Sequence, residues 1–202
     1  MGKLYLAYTG MGNELQILSS ANGTDWSDQV QAPGMASTGP ALGSRDNVLH
    51  CVFSFLGIVC YTYSLNSAAT SWTQFTPVPN ALSALTPAFA TTPGVLHLAY
   101  RHAADGWVYS TVNTSSGWGQ TIATHQRTPA APALAASGNT LHCATRGDDN
   151  KIYISSATID AGRADPNLGW SGPALVAASP RTYSAPALAD NQSCLVYRAA
   201  EL

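Results

Sequence analysis

With 202 residues, 10% charged side chains and a formal net charge of −2, the chain can bury a sizeable core but lacks the positive charge that grips nucleic acid. Its lysines and arginines stand singly, which argues against a basic membrane-surface or acidic-partner patch, and no apolar run reaches membrane-spanning length. The opening MGKLYLAYTG has one Lys followed by alternation rather than a long apolar core, so no secretory leader is visible. Localisation stays open between the cytoplasm and a mature or cloned fragment of a secreted protein.

Taken in order, KLYLAYT from Lys3 reads as a strand by alternation, Gly10 and Gly12 as its turn, and ELQILSS as a second strand. Next comes Ser20-Ala-Asn22-Gly23-Thr-Asp-Trp26, which fits the Ser-x-Asx-Gly-x-x-Trp pattern of an Asp-box. There Asn-Gly favours a tight turn, and the Trp is expected to cap the sheet below it. A full four-strand unit follows: STGPALG, NVLHCVFS, IVCYTYS and SWTQFTP. A second copy runs LTPAFAT, VLHLAYRH, GWVYSTVN and GWGQTIAT, and a third AAPALAAS, TLHCATRG, KIYISSAT and GWSGPALV, with IDAGRADPNL inserted before Trp170. YSAPALAD and SCLVYRAAEL then give a first and a second strand. Gly and Pro punctuate every few residues, and no helix is expected.

Two independent markers give the period. Pro40, Pro87, Pro132 and Pro186 are about 47, 45 and 54 residues apart, and Trp26, Trp72, Trp118 and Trp170 about 46, 46 and 52. Four short antiparallel strands per unit of about 46 residues predict an all-β β-propeller, whose blades stack because none can bury both faces alone. The expected organisation is a single domain over 1–202, with units near 1–36, 37–83, 84–127 and 128–180 and a partial copy at 181–202. Three arrangements of the ends stay open. YSAPALAD could complete the blade begun by KLYLAYT, closing four blades with SCLVYR as a surplus strand. Several chains could instead share blades as a homo-oligomer, or the chain could be part of a longer propeller.

Cys51, Cys60, Cys143 and Cys194 form no CxxC pair, which speaks against a zinc or redox motif. Cys51 and Cys60 would face each other if their hairpin turned at Phe55-Leu56. Two small buried hydrophobes are the simpler expectation.

The polar residues follow the repeat. Arg101, Arg146 and Arg198 end second strands, where the first two units have Thr9 and Ser54. After two of these arginines come the loops HAADG, with Asp105, and GDDN, with Asp148 and Asp149, and then an aromatic strand bearing Trp107 or Tyr153. A guanidinium, a carboxylate and an aromatic plate suit a saccharide, whose hydroxyls pair with charged groups while its apolar face stacks. The structural alternative is that the arginines tie neighbouring blades through the loop aspartates. His50, His97 and His142 occupy one second-strand position, where the first unit has Tyr5. A repeated position that accepts Tyr reads as packing in which the ring reaches a neighbouring carbonyl; no carboxylate repeats with the histidines, so no metal or other cofactor is expected. Glycoside hydrolysis would want a unique pair of carboxylates, and Glu14, Glu201 and the repeated aspartates supply none. No catalytic residue is therefore assigned.

On the x-Pro-Ala-Leu, Leu-His/Tyr-x-x-Tyr-Arg and Ser-x-Asn-Gly-x-x-Trp units, the chain resembles the short-tandem-repeat β-propeller lectins and the Asp-box blades of sialidase-type propellers. The resemblance implies monosaccharide pockets between adjacent blades, made of Arg, an acidic or amide residue and an aromatic ring. Carried over, it nominates Arg101 with Trp107, Arg146 with Tyr153, and Arg198. The expectation is a non-enzymatic lectin with several weak sites acting on glycans by multivalency. The alternatives are a protein-interaction scaffold and a sialidase-like glycoside hydrolase.

Overall fold

The computed structural model describes residues 2–159, 168–177, 181–189 and 194–196. The first sheet has the order β1 (Leu4–Thr9), β2 (Glu14–Ser20), β3 (Val30–Met35). The second runs β4 (Ala41–Arg45), β5 (Val48–Phe55), β6 (Ile58–Tyr63), β7 (Thr76–Leu82). The third contains β8 (Ala88–Thr92), β9 (Val95–Arg101), β10 (Trp107–Thr114), β11 (Gly117–Trp118) and β12 (Ile122–Arg127), with β11 and β12 both paired to β10. The fourth is β13 (Ala133–Ser137), β14 (Thr140–Arg146), β15 (Ile152–Thr158), β16 (Ala174–Leu175), and the fifth is β17 (Ala187–Ala189) with β18 (Cys194–Val196). All pairings are antiparallel, and the described residues contain no helix.

Successive sheets stack face to face. One core cluster joins Leu15 and Ile17 of the first sheet to Phe53 and Trp72 of the second; another joins Val52 and Val59 to Leu96, Leu98 and Tyr100 of the third. A third joins Val108 and Val112 to Leu134, Leu141 and Trp170 of the fourth. Being covered on both faces, β9 is buried from Val95 to Tyr100, which is why VLHLAY reads as a continuous apolar run instead of an alternation. The leading strands lie side by side, β4 on β8, β8 on β13 and β13 on β17. Crowding there explains the small residues of the Pro-Ala-Leu strands. At Gly43 a Cβ would meet the Phe89 ring at 2.6 Å and Thr91 at 2.9 Å, so only glycine lets β4 approach β8 this closely.

Two backbone bonds recur through the first four sheets. The residue after each repeat tryptophan returns its N–H to the third strand: Ser27 to Ser19, Thr73 to Tyr63, Gly119 to Val112 and Ser171 to Ser156. A residue beyond the outer strand donates to the turn of the central hairpin: Ala36 to Asn13, Ser83 to Gly57, Thr128 to Gly106, each directly after its strand, and Thr182 to Asn150, seven residues past β16, at 2.8–3.1 Å. Every one of those acceptor residues is in the left-handed region, at φ 69°, 81°, 73° and 64°. Ser83, Thr128 and Thr182 also bond through their hydroxyls to the backbone two residues on, forming the bend into the next leading strand.

The expectation that a tryptophan opens each fourth strand holds only in part: Trp26 and Trp72 make isolated bridges, to Ser20 and Ser64, with β7 beginning at Thr76, whereas Trp118 lies in β11, paired to β10 ahead of β12. Trp26 does not cap its sheet, being 42% exposed. Trp72, Trp118 and Trp170 each pack on the preceding sheet, and among the described residues no sheet precedes the first one. YSAPALAD does not complete the first sheet, because its Ala187–Ala189 pairs with Cys194–Val196, a local hairpin that closes a far shorter loop. Cys194–Val196, within the predicted SCLVYR, is thus that hairpin's second strand. Finally, Cys51 and Cys60 are free: the turn falls on Leu56-Gly57, where φ is 49° and 81°, so Cys60 faces Phe53 and Cys51 faces Thr62.

The three histidines occupy equivalent strand positions, and each finds a side-chain hydroxyl as its best-formed partner, with the Arg45 carbonyl also close to His50. His50 Nδ1 lies 2.7 Å from the Tyr61 hydroxyl, His97 Nε2 2.9 Å from Thr92 Oγ1, and His142 Nδ1 2.9 Å from Ser156 Oγ. Tyr5 donates to the Ser67 carbonyl. Burial holds His97 at a pKa of about 4; burial and the Arg45 charge hold His50 at about 4 as well, against the opposing Arg45 carbonyl and Asp46.

Both histidines are taken up by the fold as neutral rings, whereas the unfolded chain protonates them near 6.5. The unfolded state therefore binds more protons below that value, and stability is expected to fall as pH drops from about 6.5 towards about 4. Urea midpoints measured across this range should show the slope, and His97→Gln should flatten it. Separately, Thr128→Val removes the hydroxyl that accepts from the Ala130 N–H, and should cost about 1–2 kcal/mol, read as a lower urea midpoint at constant m-value.

Candidate functional site

The central hairpins of the third and fourth sheets are built on the same acid–phenol pair. Asp105 Oδ1 accepts from the Trp107 N–H at 2.9 Å and Oδ2 from the Tyr109 hydroxyl at 3.0 Å. Asp149 Oδ1 accepts from the Lys151 N–H at 3.1 Å and Oδ2 from the Tyr153 hydroxyl at 3.0 Å. In each hairpin the tyrosine stands four residues after the aspartate and braces the turn from outside. Gly147 makes room for this, since a Cβ there would meet the Tyr153 ring at 2.7 Å.

Hydrogen bonding sets the ionisation of both acids. The Lys151 N–H, the Tyr153 hydroxyl and the Lys151 charge hold the Asp149 carboxyl below the usual range, against a smaller opposing desolvation. For Asp105, desolvation opposes ionisation, but the Trp107 N–H, the Tyr109 hydroxyl and nearby His102 together outweigh it. His102 Nδ1 lies 3.2 Å from Asp105 Oδ1. The phenols of Tyr109 and Tyr153 are pushed up by donating to carboxylates.

The shared frame produces different junctions. Tyr109 faces Tyr100 across the hairpin, while Tyr153 faces Thr145. Between the second and third sheets the junction is closed: the Tyr100 hydroxyl reaches the Asn80 carbonyl at 3.3 Å, and the Ala103 N–H bonds to Leu82 O at 3.0 Å. Counted back from Ser83 and Thr128, Ala81 corresponds to Gln126, and Asn80 to His125, at φ 58° and 59°. At the third–fourth junction the short Thr145 leaves a cleft of about 400 Å³, lined by Gln126, Arg127, Thr145, Asp148, Asp149 and Tyr153. Gln126 is 2% exposed; its Nε2 donates to the Cys143 carbonyl at 3.3 Å, and its Oε1 has no protein partner. Arg127 and Asp148 are exposed at the rim. The cleft offers a guanidinium fork and a carboxylate at its mouth and a phenol ring as a wall, with Gln126 Oε1 buried in its lining.

Of the residues expected from sequence, Asp148, Asp149 and Tyr153 line this cleft, but Arg101 and Arg146 do not. Arg101 Nε donates to the Thr128 carbonyl at 2.9 Å, tying the end of β12 to its own sheet. Arg146 Nη1 donates to Asn150 Oδ1 within its own hairpin, and its Nε is buried without a partner. Neither arginine forms an ion pair with a loop aspartate among the described residues. Trp107, 37% exposed, lies opposite Arg127 on the outer edge of the third sheet, and Asp105 is spent bracing its hairpin. Arg198 lies outside the described residues. Sequence reading missed Gln126, Arg127, Thr145 and Tyr109. The signal for Tyr109 and Tyr153 was present as the shared Asp-x-x-x-Tyr spacing.

No protein-family model matches the chain, and no curated protein does. Solved structures do. The BP39L lectin from Burkholderia pseudomallei superposes with a TM-score of 0.69 at 12% identity, over 87% of this chain and 52% of the lectin. Hadza microbial sialidase Hz136 gives 0.64 at 16% identity, over 98% of this chain and 47% of the sialidase. A polysaccharide lyase, the PL25 ulvan lyase, gives 0.61 at 14% identity, over 87% of this chain and 53% of the lyase. The chain thus spans about half the length of these proteins, and the likeness is one of fold: lectin- and sialidase-like, propeller-like and all-β. No helix among the described residues is long and apolar enough to cross a membrane.

Because the Tyr153 hydroxyl adds to the Lys151 N–H in holding Asp149 ionised, Tyr153→Phe should move the Asp149 carboxyl titration upward with an otherwise native NMR spectrum. Tyr109→Phe should do the same to Asp105.

Proposed function

We propose that the chain is a non-catalytic, carbohydrate-binding β-propeller domain over 1–202, with repeat units as delimited above, that holds a saccharide unit between adjacent blades. The cleft between the third and fourth sheets is its best-formed site. The observation that carries this reading is Gln126 Oε1, a buried acceptor without a protein partner, in a cleft walled by Arg127, Asp148 and Tyr153. Leaving such an acceptor unpaired costs about 1–3 kcal/mol, a cost that a ligand hydroxyl or a bridging water removes. The fold likeness to the BP39L lectin supports the same reading.

The charges narrow the ligand. Two carboxylates, Asp148 and Asp149, line the cleft with the Arg127 guanidinium, and the Lys151 charge acts on Asp149. With no excess of positive charge to hold an acidic sugar, a neutral or amino-bearing saccharide is the ligand class. The same facts disfavour hydrolysis in this cleft. A glycosidic acid must carry a proton at working pH, and Asp149 is held ionised with both oxygens engaged.

The test is binding of a neutral and amino monosaccharide panel, by calorimetry or array, to the wild type and two variants. Thr145→Tyr copies the closed junction, where Tyr100 reaches the Asn80 carbonyl, and should abolish binding with the fold intact by circular dichroism. Arg127→Ala should weaken binding several-fold. A wild type that retains no sugar, or unchanged binding in Thr145→Tyr, would sink the assignment. Turnover of a chromogenic sialoside would overturn the non-catalytic part of it.

A further inference from the structure

A second cavity, of about 380 Å³, lies between the second and third sheets at the other end of the strands. Its walls include Arg45 and Asp46 from the β4–β5 turn, His50, Tyr61, Tyr63 and Asn113. It involves no residue of the Gln126 cleft. Two features set it apart from an ordinary gap between packed sheets.

The first is an unmatched guanidinium. The Arg45 side chain is 13% exposed, and its Nη1 donates to the Asn113 carbonyl at 2.8 Å and to Asn113 Oδ1 at 2.9 Å, both neutral acceptors. The nearest acid, Asp46, is 76% exposed and stands 3.8 Å from Arg45 Nε, outside hydrogen-bonding distance. A largely desolvated cation without a hydrogen-bonded anion is an electrostatic demand for one. The second is His50, 3% exposed, whose Nδ1 is taken by Tyr61 and whose Nε2 makes no well-formed hydrogen bond to protein. Its ring stacks on Tyr61 at 5.8 Å and 10°, while Tyr63, 39% exposed, is tilted beside both. Trp118 backs Tyr61 edge-on at 5.2 Å, so the aromatic wall is fixed from behind.

We propose that this cavity is a second binding site, specific for a small hydroxylated carboxylate of the uronic-acid kind. Arg45 pairs with the carboxylate, and the Tyr61 and Tyr63 rings cover the apolar face of the sugar, with His50 holding Tyr61 in place. The ligand differs in charge from the one the Gln126 cleft accepts, and the two sites stand or fall separately.

Calorimetric titration with glucuronate and with glucose tests it, because the two differ at one carbon's oxidation. In Thr145→Tyr, whose other cleft is filled, glucuronate should bind at least tenfold more tightly than glucose. Adding Arg45→Gln should remove that preference and adding Tyr63→Ala should weaken glucuronate several-fold, while Arg127→Ala alone should leave glucuronate affinity unchanged. Equal or absent binding of the two sugars in the Thr145→Tyr background overturns the proposal. So does unchanged glucuronate affinity in Tyr63→Ala, which decides the matter alone should Arg45→Gln fail to fold, since Tyr63 is a surface ring.

Discussion

The hydrogen bond from a residue beyond each outer strand to the left-handed turn residue of the central hairpin governs the rest of the structure. It is made by Ala36, Ser83, Thr128 and Thr182. It fixes where the chain leaves one sheet and therefore where the next leading strand begins. At Thr128 the consequences reach the cleft. The same residue that donates to Gly106 offers its carbonyl to Arg101 and its hydroxyl to Ala130, so the last turn of β12 is held from three directions. Gln126 and Arg127 immediately precede it, and their presentation to the fourth sheet follows from that anchorage.

A regular frame would give regular junctions, yet the junctions differ because single residues fill them differently. Tyr100 and Ala81 close the second–third junction at this end, while Thr145 and Gln126 open the third–fourth. A tyrosine at 145 would fill space now empty, and an alanine at 126 would remove a buried unpaired acceptor. Both replacements already exist one repeat earlier in the same chain. The open junction therefore forgoes packing and hydrogen bonding that the repeat could supply, and such a forfeit is characteristic of positions held for a ligand.

The periodicity that organises the sheets was legible because it is written in residues with few alternatives. Proline enters the leading strand, tryptophan packs on the sheet before, and the buried second strands are apolar. The strand ends were less legible. Leu56-Gly57 rather than Phe55-Leu56 forms the turn because Gly57 tolerates a φ of 81°, and that shift of one residue separates Cys51 from Cys60. The fate of an arginine is harder still to read from sequence. Arg101 and Arg146 stand at a conspicuous repeated position yet are consumed by Thr128 and Asn150, while Arg127, unremarkable in QRTPA, reaches the cleft. Which arginine faces a ligand depends on contacts between sheets, and those are set by partners distant in sequence. The bend residues were within reach of sequence alone: Ser83, Thr128 and Thr182 each stand four places before a repeat proline.

The third sheet contributes to both clefts, from opposite ends of one strand. β10 begins at Trp107, opposite Arg127, and ends at Thr114, beside Asn113 and the Arg45 cavity. Seven residue steps of an extended strand separate these ends by roughly 23 Å. One end carries the carboxylates Asp148 and Asp149 with Arg127 and Lys151; the other carries a largely buried Arg45 whose hydrogen bonds go only to neutral groups. Charges of opposite sign held that far apart are largely screened from each other at physiological salt, where the Debye length is about 8 Å. The two ends of the sheet therefore present different charge environments, and neither field reaches far enough to alter the other.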